Sequence, residues 1–448
     1  MSESKGKKIS LRELIKAQVS DPNLLLRFIQ KYGDVLTFWA GSIKGFVFTN
    51  PAHIRHIFSH QPPYVRSPQQ INISRNVTGN YGLLNFVDFN EWKKERELLE
   101  PFFDKSHLAE YAKIMVKIFT EHYTNLQTYI EHNKPVNVVH FFAEIAMLNI
   151  IDTLFGGARI DITATDKLIR KLYYLAFPTR WYTYVKLFGL IPMPLYFRYK
   201  KNRAQLIETC NDIIRQSLSE NVKRDNFIKK LAREYGHSTL AQLTAKNLER
   251  INSEVSVFLI AGYETAASLL VNICMFLSLY PSVADKIEAE VKTMIGSKDP
   301  TYEDLNKLPY LRAVINETLR LWPPLSGILR SAPTDDEIDG YTVKKGNVAC
   351  IPTYTNQRNE KYWYNPEAFD PNRFLSPLTE DQATLYTPFG KGPQSCIGRQ
   401  FAIMEATIAI AMLVQRYRLT LTAGISLQRE KGSLNRLNDQ VTMKVHPV

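Results

Sequence analysis

Cys396 stands in the segment Phe389-Gly390-Lys391-Gly392-Pro393-Gln394-Ser395-Cys396-Ile397-Gly398, and a helical run from Ile397 to about Arg416 follows it. Glycines at 390, 392 and 398 let a backbone approach a flat ligand closely, because no Cβ intervenes. A helix N-terminus lowers a thiol pKa and a metal lowers it further, so this placement predicts a thiolate metal ligand. On the iron of a haem, such a thiolate would push electron density towards O–O cleavage. The bland alternative is a buried free cysteine beside a glycine turn. A phosphate loop beginning at Gly390-Lys391-Gly392 is a weak reading, since no clear strand precedes it and the third glycine is not at the required offset.

Two further groups of residues could do chemistry. Residues 255–280 carry a single charge, Glu264, followed by Thr265. A carboxylate and a hydroxyl in an apolar helix are costly unless satisfied or functional. Ala261 and Gly262 leave room beside them for an oxygen molecule and a water. Thr265 could also merely bond back to a carbonyl one turn earlier. Glu317 and Arg320, at i and i+3, share a helix face and with Arg373 can form a buried charge cluster behind the cysteine loop. An exposed helical ion pair is the ordinary meaning of that spacing and would be worth little. The nine histidines show no H-E-x-x-H pattern, which leaves a zinc hydrolase unsupported, and they read as surface or packing residues.

The elements that must position these residues are mostly helical. Residues 10–32 read as helix, and 34–40 and 45–50 as two short strands around Gly41-Ser42; Pro51 opens another helix. Helical periodicity dominates from about 90 to 330, broken at Pro178, at Pro192-Met193-Pro194 and at Pro281. Strand-like pieces return at about 338–353, 417–422 and 441–445, which gives a mainly α chain with small β-sheets, an α+β arrangement. Residues 255–280 are long enough to cross a bilayer, but burial inside a folded active site is the preferred reading.

The 448 residues, 45% hydrophobic and 22% charged, can bury a large core. Without linkers or repeats they read as a single body. The net charge of +12 is dispersed in short groups, which argues against nucleic acid and for a basic surface that attracts acidic proteins or anionic lipid. Cys210, Cys274, Cys350 and Cys396 lack paired spacing and read as reduced thiols of a cytoplasmic protein. Met1 to Lys8 is polar and charged, so neither signal peptide nor N-terminal membrane anchor is expected. The apolar, proline-broken stretch 187–197 with Arg198, Lys200, Lys201 and Arg203 behind it is too short to span a bilayer. It could rest at a membrane surface or simply close a pocket.

The cysteine segment resembles the haem-binding loop of the cytochrome P-450 haem-thiolate monooxygenases, F-G-x-G-x-x-x-C-x-G. Four other pieces match that family in order. Trp92 with Arg96 resembles its W-x-x-x-R helix, and Ala261 to Thr265 its oxygen-activating motif. Glu317 and Arg320 resemble its E-x-x-R pair, and Phe369-Asp370-Pro371-Asn372-Arg373-Phe374 the segment that completes the triad. The resemblance spans roughly residues 20–445. It implies a cytochrome P-450-like fold with a long central helix, one catalytic domain over 1–448 with 1–20 as an N-terminal segment, and haem b (iron protoporphyrin IX) on Cys396. Trp92, Arg96, Arg330, Phe389, Gly390, Gly392 and Gly398 would help to bind the haem, and Thr265 and Glu264 would handle oxygen and protons.

Gln394 stands where the family commonly has arginine or histidine, and Gln357 where it often has histidine, so propionate anchoring is expected to be weaker or differently arranged. Electrons would come from NAD(P)H through an external flavodoxin, ferredoxin or flavoprotein reductase, docking near Lys93, Lys94, Lys391 and Arg399. By the same analogy, the loop 67–88, residues 258–265, Leu325 to Leu329, and Ser433 with Leu434 line the pocket. The implied reaction inserts one oxygen atom into a fatty acid, terpenoid or sterol-like molecule. A family-fold isomerase or dehydratase acting on a peroxide, and a haem sensor or carrier, are the alternatives.

Overall fold

A computed structural model describes residues 6–19, 21–176, 194–222, 224–236, 239–424 and 437–448. Of the expectations above, Pro178, residues 187–193, Ser433 and Leu434 lie outside these residues. The larger sheet starts with β1 (Lys7–Lys8), β2 (Val35–Ala40) and β3 (Ile43–Phe48), with helices α1 (Leu11–Val19) and α2 (Pro22–Tyr32) between the first two strands. The single helix expected over 10–32 is thus two, because Pro22 cannot continue a helix but suits a first turn. β2 and β3 form a hairpin through Gly41 at φ +65°. Phe38 covers Gly45 across it so closely that a Cβ on Gly45 would lie 2.1 Å from the ring.

Helix α3 (Pro51–Ser59) follows, its first turn held by the Asn50 side chain accepting from the Ala52 N–H. Helix α4 (Phe89–Leu99) is capped by Asp88, whose carboxylate accepts from the Asn90 and Glu91 N–H groups. A short strand, β4 (Val136–Asn137), leads into α5 (Val138–Leu154). The long central helix α6 (Ala245–Leu279) starts at Thr244, which accepts from the Asn247 N–H. It is apolar enough to cross a membrane, yet 83% of its most apolar 18-residue window is buried. Burial inside the protein is therefore what this composition serves.

Helix α7 (Pro309–Leu321) carries Glu317 and Arg320. Next come β5 (Ile328–Ser331), the hairpin β6 (Asp336–Ile338) and β7 (Tyr341–Val343), and β8 (Val348–Ile351). Helix α8 (Arg399–Val414) leaves the cysteine loop, and β9 (Tyr417–Leu421) and β10 (Thr442–Pro447) close the chain. The strands form sheets in the orders β1-β2-β3-β8-β5, β4-β10-β9 and β6-β7. The first sheet brings the N-terminal hairpin beside β8 and β5, and so aligns Arg330 of β5 opposite Ala349. The main core runs through α4, α5, α6, α7 and α8, with smaller apolar clusters on the sheet.

Candidate active site

The loop before α8 is folded by its own backbone. The Cys396 N–H donates to the Phe389 carbonyl at 2.8 Å, and the Ser395 N–H to that of Gly392 at 3.1 Å. Gly390 and Gly392 have φ of +69° and +71°, left-handed values that favour glycine, and a Cβ on Gly392 would press to 3.0 Å from the Phe58 carbonyl oxygen. Cys396 is exposed, whereas Cys210, Cys274 and Cys350 are buried, and all four are free. Its thiol is nevertheless pushed up by desolvation, against the Gly398 N–H and the guanidiniums of Arg96, Arg66 and Arg399. The sulfur is thus open on one side and walled by protein on the others. The helix N-terminus therefore does not by itself give a low-pKa thiol; a metal charge would have to do so.

Cations converge on the same loop. Arg96 of α4 donates to the Ser395 carbonyl at 2.8 Å. Arg330 of β5, 6% exposed, reaches the Gln394 carbonyl at 3.4 Å. Arg66, which the sequence did not single out, joins them: its backbone N–H donates to Gln394 Oε1 at 2.9 Å and its guanidinium to the Leu83 carbonyl at 3.0 Å. Burial pushes Arg66 down to about 10 and Arg330 to about 9, where the charge of Arg66 adds to the effect. Trp92 is buried against Phe89, and its indole N–H has no protein partner. The buried Arg330 guanidinium, the part-buried and desolvated Arg66 guanidinium and a buried orphan N–H are a costly set unless anions meet them, and carboxylates such as haem propionates fit. With an exposed sulfur and glycines beside it, the donor set suits a flat, iron-bearing, dicarboxylate ligand.

Gln394 thus acts through its amide oxygen, which fixes the Arg66 backbone. Gln357 turns elsewhere: its amide donates to the Leu319 and Arg320 carbonyls at 3.0 and 2.8 Å and accepts from the Thr387 N–H at 3.0 Å. It closes the end of α7 through both ends of its amide.

Behind the loop, Glu317 and Arg320 are fully buried and bidentate, at 2.7 and 2.8 Å. Arg373 reaches Glu317 at 3.3 Å, and the Asp370 N–H donates to it at 2.9 Å. Arg320 also donates to the carbonyls of Gln357, Pro366 and Ala368 at 2.8, 2.8 and 3.1 Å. The pair is a buried clamp on the chain leading to the cysteine, not a surface ion pair.

On α6, Ala261 is exposed between sealed turns, and the Thr265 hydroxyl donates to its carbonyl at 2.8 Å. The back-bond expected of a purely structural threonine is thus present. It leaves the hydroxyl oxygen as an acceptor. Glu264 is buried beside Tyr263, whose hydroxyl donates to Asp166 at 3.1 Å. Asp166 pairs with Arg170 at 2.8 Å, and Arg170 with the half-exposed Asp439, so polar groups run from the surface to the neighbourhood of Glu264. Of the expected docking cations, Lys93, Lys94 and Arg399 are exposed, while Lys391 is partly buried with its ammonium on the Ala383 carbonyl.

The family model described as Cytochrome P450 matches residues 17–443. The chain is similar to "Cytochrome P450 3A5" of Homo sapiens, 28% identical over 87% of this chain and 79% of that one. It resembles "Cytochrome P450 3A6" of Oryctolagus cuniculus at 27% identity over 93% and 85%, and "Cytochrome P450 3A7" of Homo sapiens at 31% over 75% and 69%. The chain therefore belongs to the cytochrome P450 family, haem-thiolate monooxygenases that use haem b and take electrons from NAD(P)H through a separate redox partner.

Proposed function

We propose that Cys396 is the iron ligand and that Arg66, Trp92, Arg96 and Arg330 hold the propionates, for oxidation of an apolar substrate such as a fatty acid, terpenoid or sterol-like molecule. The observation that carries this reading is the exposed Cys396 sulfur, with the guanidiniums of Arg96 and Arg330 bonded to its loop, Arg66 beside it, and the orphan Trp92 N–H. Haem, when bound, supplies dioxygen activation, which no side chain here can perform. The chain's own residues do the rest. Gly390 and Gly392 keep the approach to the sulfur free of side chains, with Phe389 and Gly398 on either side of it. Thr265 and Glu264 hold and move protons: the hydroxyl oxygen of Thr265 can accept a bond from a water, its own proton can turn from the Ala261 carbonyl towards an acceptor beside the helix, and Glu264 can relay a proton to replace it.

The apolar substrate is argued from Ala261 and from Leu325, which is 47% exposed. Lys93, Lys94 and Arg399 would attract the acidic face of a flavodoxin, ferredoxin or flavoprotein reductase. A cytoplasmic position touching a membrane is the location proposed, because exposed Phe197, Arg198, Lys200 and Lys201 continue the apolar stretch. Reduced holoprotein under carbon monoxide tests the ligand. The wild type should show the thiolate-type band and Cys396→Ser should lose it; the same band in both would refute the assignment. Substrate class is tested by titrating fatty acids, terpenoids and sterols for a shift of the Soret band.

A further inference from the structure

A second cluster lies where α3 meets the β6–β7 hairpin. His56 is in the last turn of α3, His60 is the residue that ends it, and Asp336 opens β6. Four residues apart on a helix, the two imidazoles share a face, with ring centroids 5.4 Å apart. Both present Nε2 to the same carboxylate oxygen, Asp336 Oδ2, at 2.9 Å from His56 and 3.6 Å from His60. The three ligand atoms lie within 4.8 Å of one another. Ligands about 2.0–2.1 Å from a tetrahedral zinc ion stand about 3.4 Å apart, so the set needs little movement to close on one.

The surroundings favour a cation at this point. His60 Nδ1 is 2.8 Å from the Pro62 carbonyl, which can only accept, so the proton is on Nδ1. In the neutral ring, Nε2 is then a lone pair aimed at a carboxylate that already accepts from the Tyr64 hydroxyl at 2.7 Å. Two lone pairs facing each other repel unless a proton or a metal ion stands between them. A carbonyl on the far nitrogen of a histidine is also the usual support of an imidazole ligand. Asp336 is braced in the same way, its other oxygen accepting from the Glu337 N–H at 2.8 Å. Its side chain is 9% exposed while that of His56 is 40% exposed, so the cluster has a fixed floor and an opening to solvent.

We propose that His56, His60 and Asp336 bind one divalent transition-metal ion, with zinc the best match and water in the fourth position. Two imidazoles and one carboxylate suit zinc; magnesium and calcium call for oxygen donors throughout. The ion is a staple rather than a reaction centre. From His60 the chain runs through Tyr64 and Val65, the latter bridged to Ser331, directly to Arg66 beside Cys396. Tying α3 to β6 would therefore steady the strap that carries Arg66.

The test uses untagged holoprotein in equilibrium dialysis against micromolar zinc, with metal measured by elemental analysis. One zinc per chain is expected in addition to iron, together with a rise in thermal midpoint. His56→Gln combined with His60→Gln should lose both while keeping the haem spectrum. Should the double variant fail to fold, His56→Gln alone changes a half-exposed side chain and should weaken zinc by about tenfold or more. A wild type that takes up no zinc, or variants that bind it as the wild type does, would overturn the proposal.

Discussion

Arg320→Lys is a conservative change in charge and a severe one in geometry. Arg320 donates five hydrogen bonds, two to Glu317 and one each to the carbonyls of Gln357, Pro366 and Ala368. Lysine has three donors on one nitrogen, so at least two of these partners lose their bond. They lie in a region with no water to replace it, since Arg320 and Glu317 are both fully buried. At about 1.5–3 kcal/mol for each bond to or from a charged group, the loss is ~3–6 kcal/mol. That is comparable with removing one partner of a buried ion pair, about 3–5 kcal/mol, and a large part of the 5–15 kcal/mol that typically holds a domain together.

Because Gln357, Pro366 and Ala368 belong to the chain that leads to the cysteine loop, haem should be lost along with stability. The assay is urea unfolding followed by far-UV circular dichroism and by Soret absorbance. The variant's midpoint should fall by roughly 1 M or more, and the Soret signal should fail before the helical one. A midpoint within experimental scatter of the wild type, with haem retained, would refute the view that geometry rather than charge matters at this position.

Thr265→Ala should cost about 1 kcal/mol of stability or less, since it removes one back-bond to Ala261. It should also lower product formed per NADPH by roughly tenfold or more, with hydrogen peroxide making up the difference; unchanged coupling would reduce Thr265 to a helix residue. Burial lifts Glu405 of α8 from an ordinary 4.5 to about 8, although Asn149 donates to it at 2.7 Å. The folded chain then keeps a proton that the unfolded chain releases, so stability should fall as pH rises from 4.5 towards 8, by at most about 1.4 kcal/mol per pH unit. Glu405→Gln should flatten that slope in unfolding curves taken across the range, and an identical slope in both proteins would contradict it.

Much of the site was legible because its chemistry is local. Cys396 and its glycines, Trp92 with Arg96, and Glu317 with Arg320 each sit within one turn of helix or one loop, where spacing alone fixes who can meet whom. Arg66 was not legible. Its contact with Gln394 spans 328 residues, and nothing in Tyr64-Val65-Arg66-Ser67 distinguishes a buried cation from a surface one. The partners of Gln357 were not legible for the same reason: those at the end of α7 and at Thr387 are tertiary. The strand Ile328–Ser331 escaped notice because four residues give too short a pattern, and it exists by pairing with β8. His56 and His60, four residues apart, were read as surface or packing residues, because Asp336, 280 residues from His56, joins them only in the fold.

Ala261 and Gly262 are adjacent and both small, for opposite reasons. A Cβ on Gly262 would lie 2.5 Å from the Ile150 side chain of α5, so that glycine sets how closely two core helices approach. Ala261 points about 100° away, onto open space. Descent with modification thus meets two unlike neighbours. Position 261 can change volume while the helices stay where they are. A larger residue at position 262 must first turn the Ile150 side chain aside. Variation along this helix therefore disturbs less at the alanine than at the glycine.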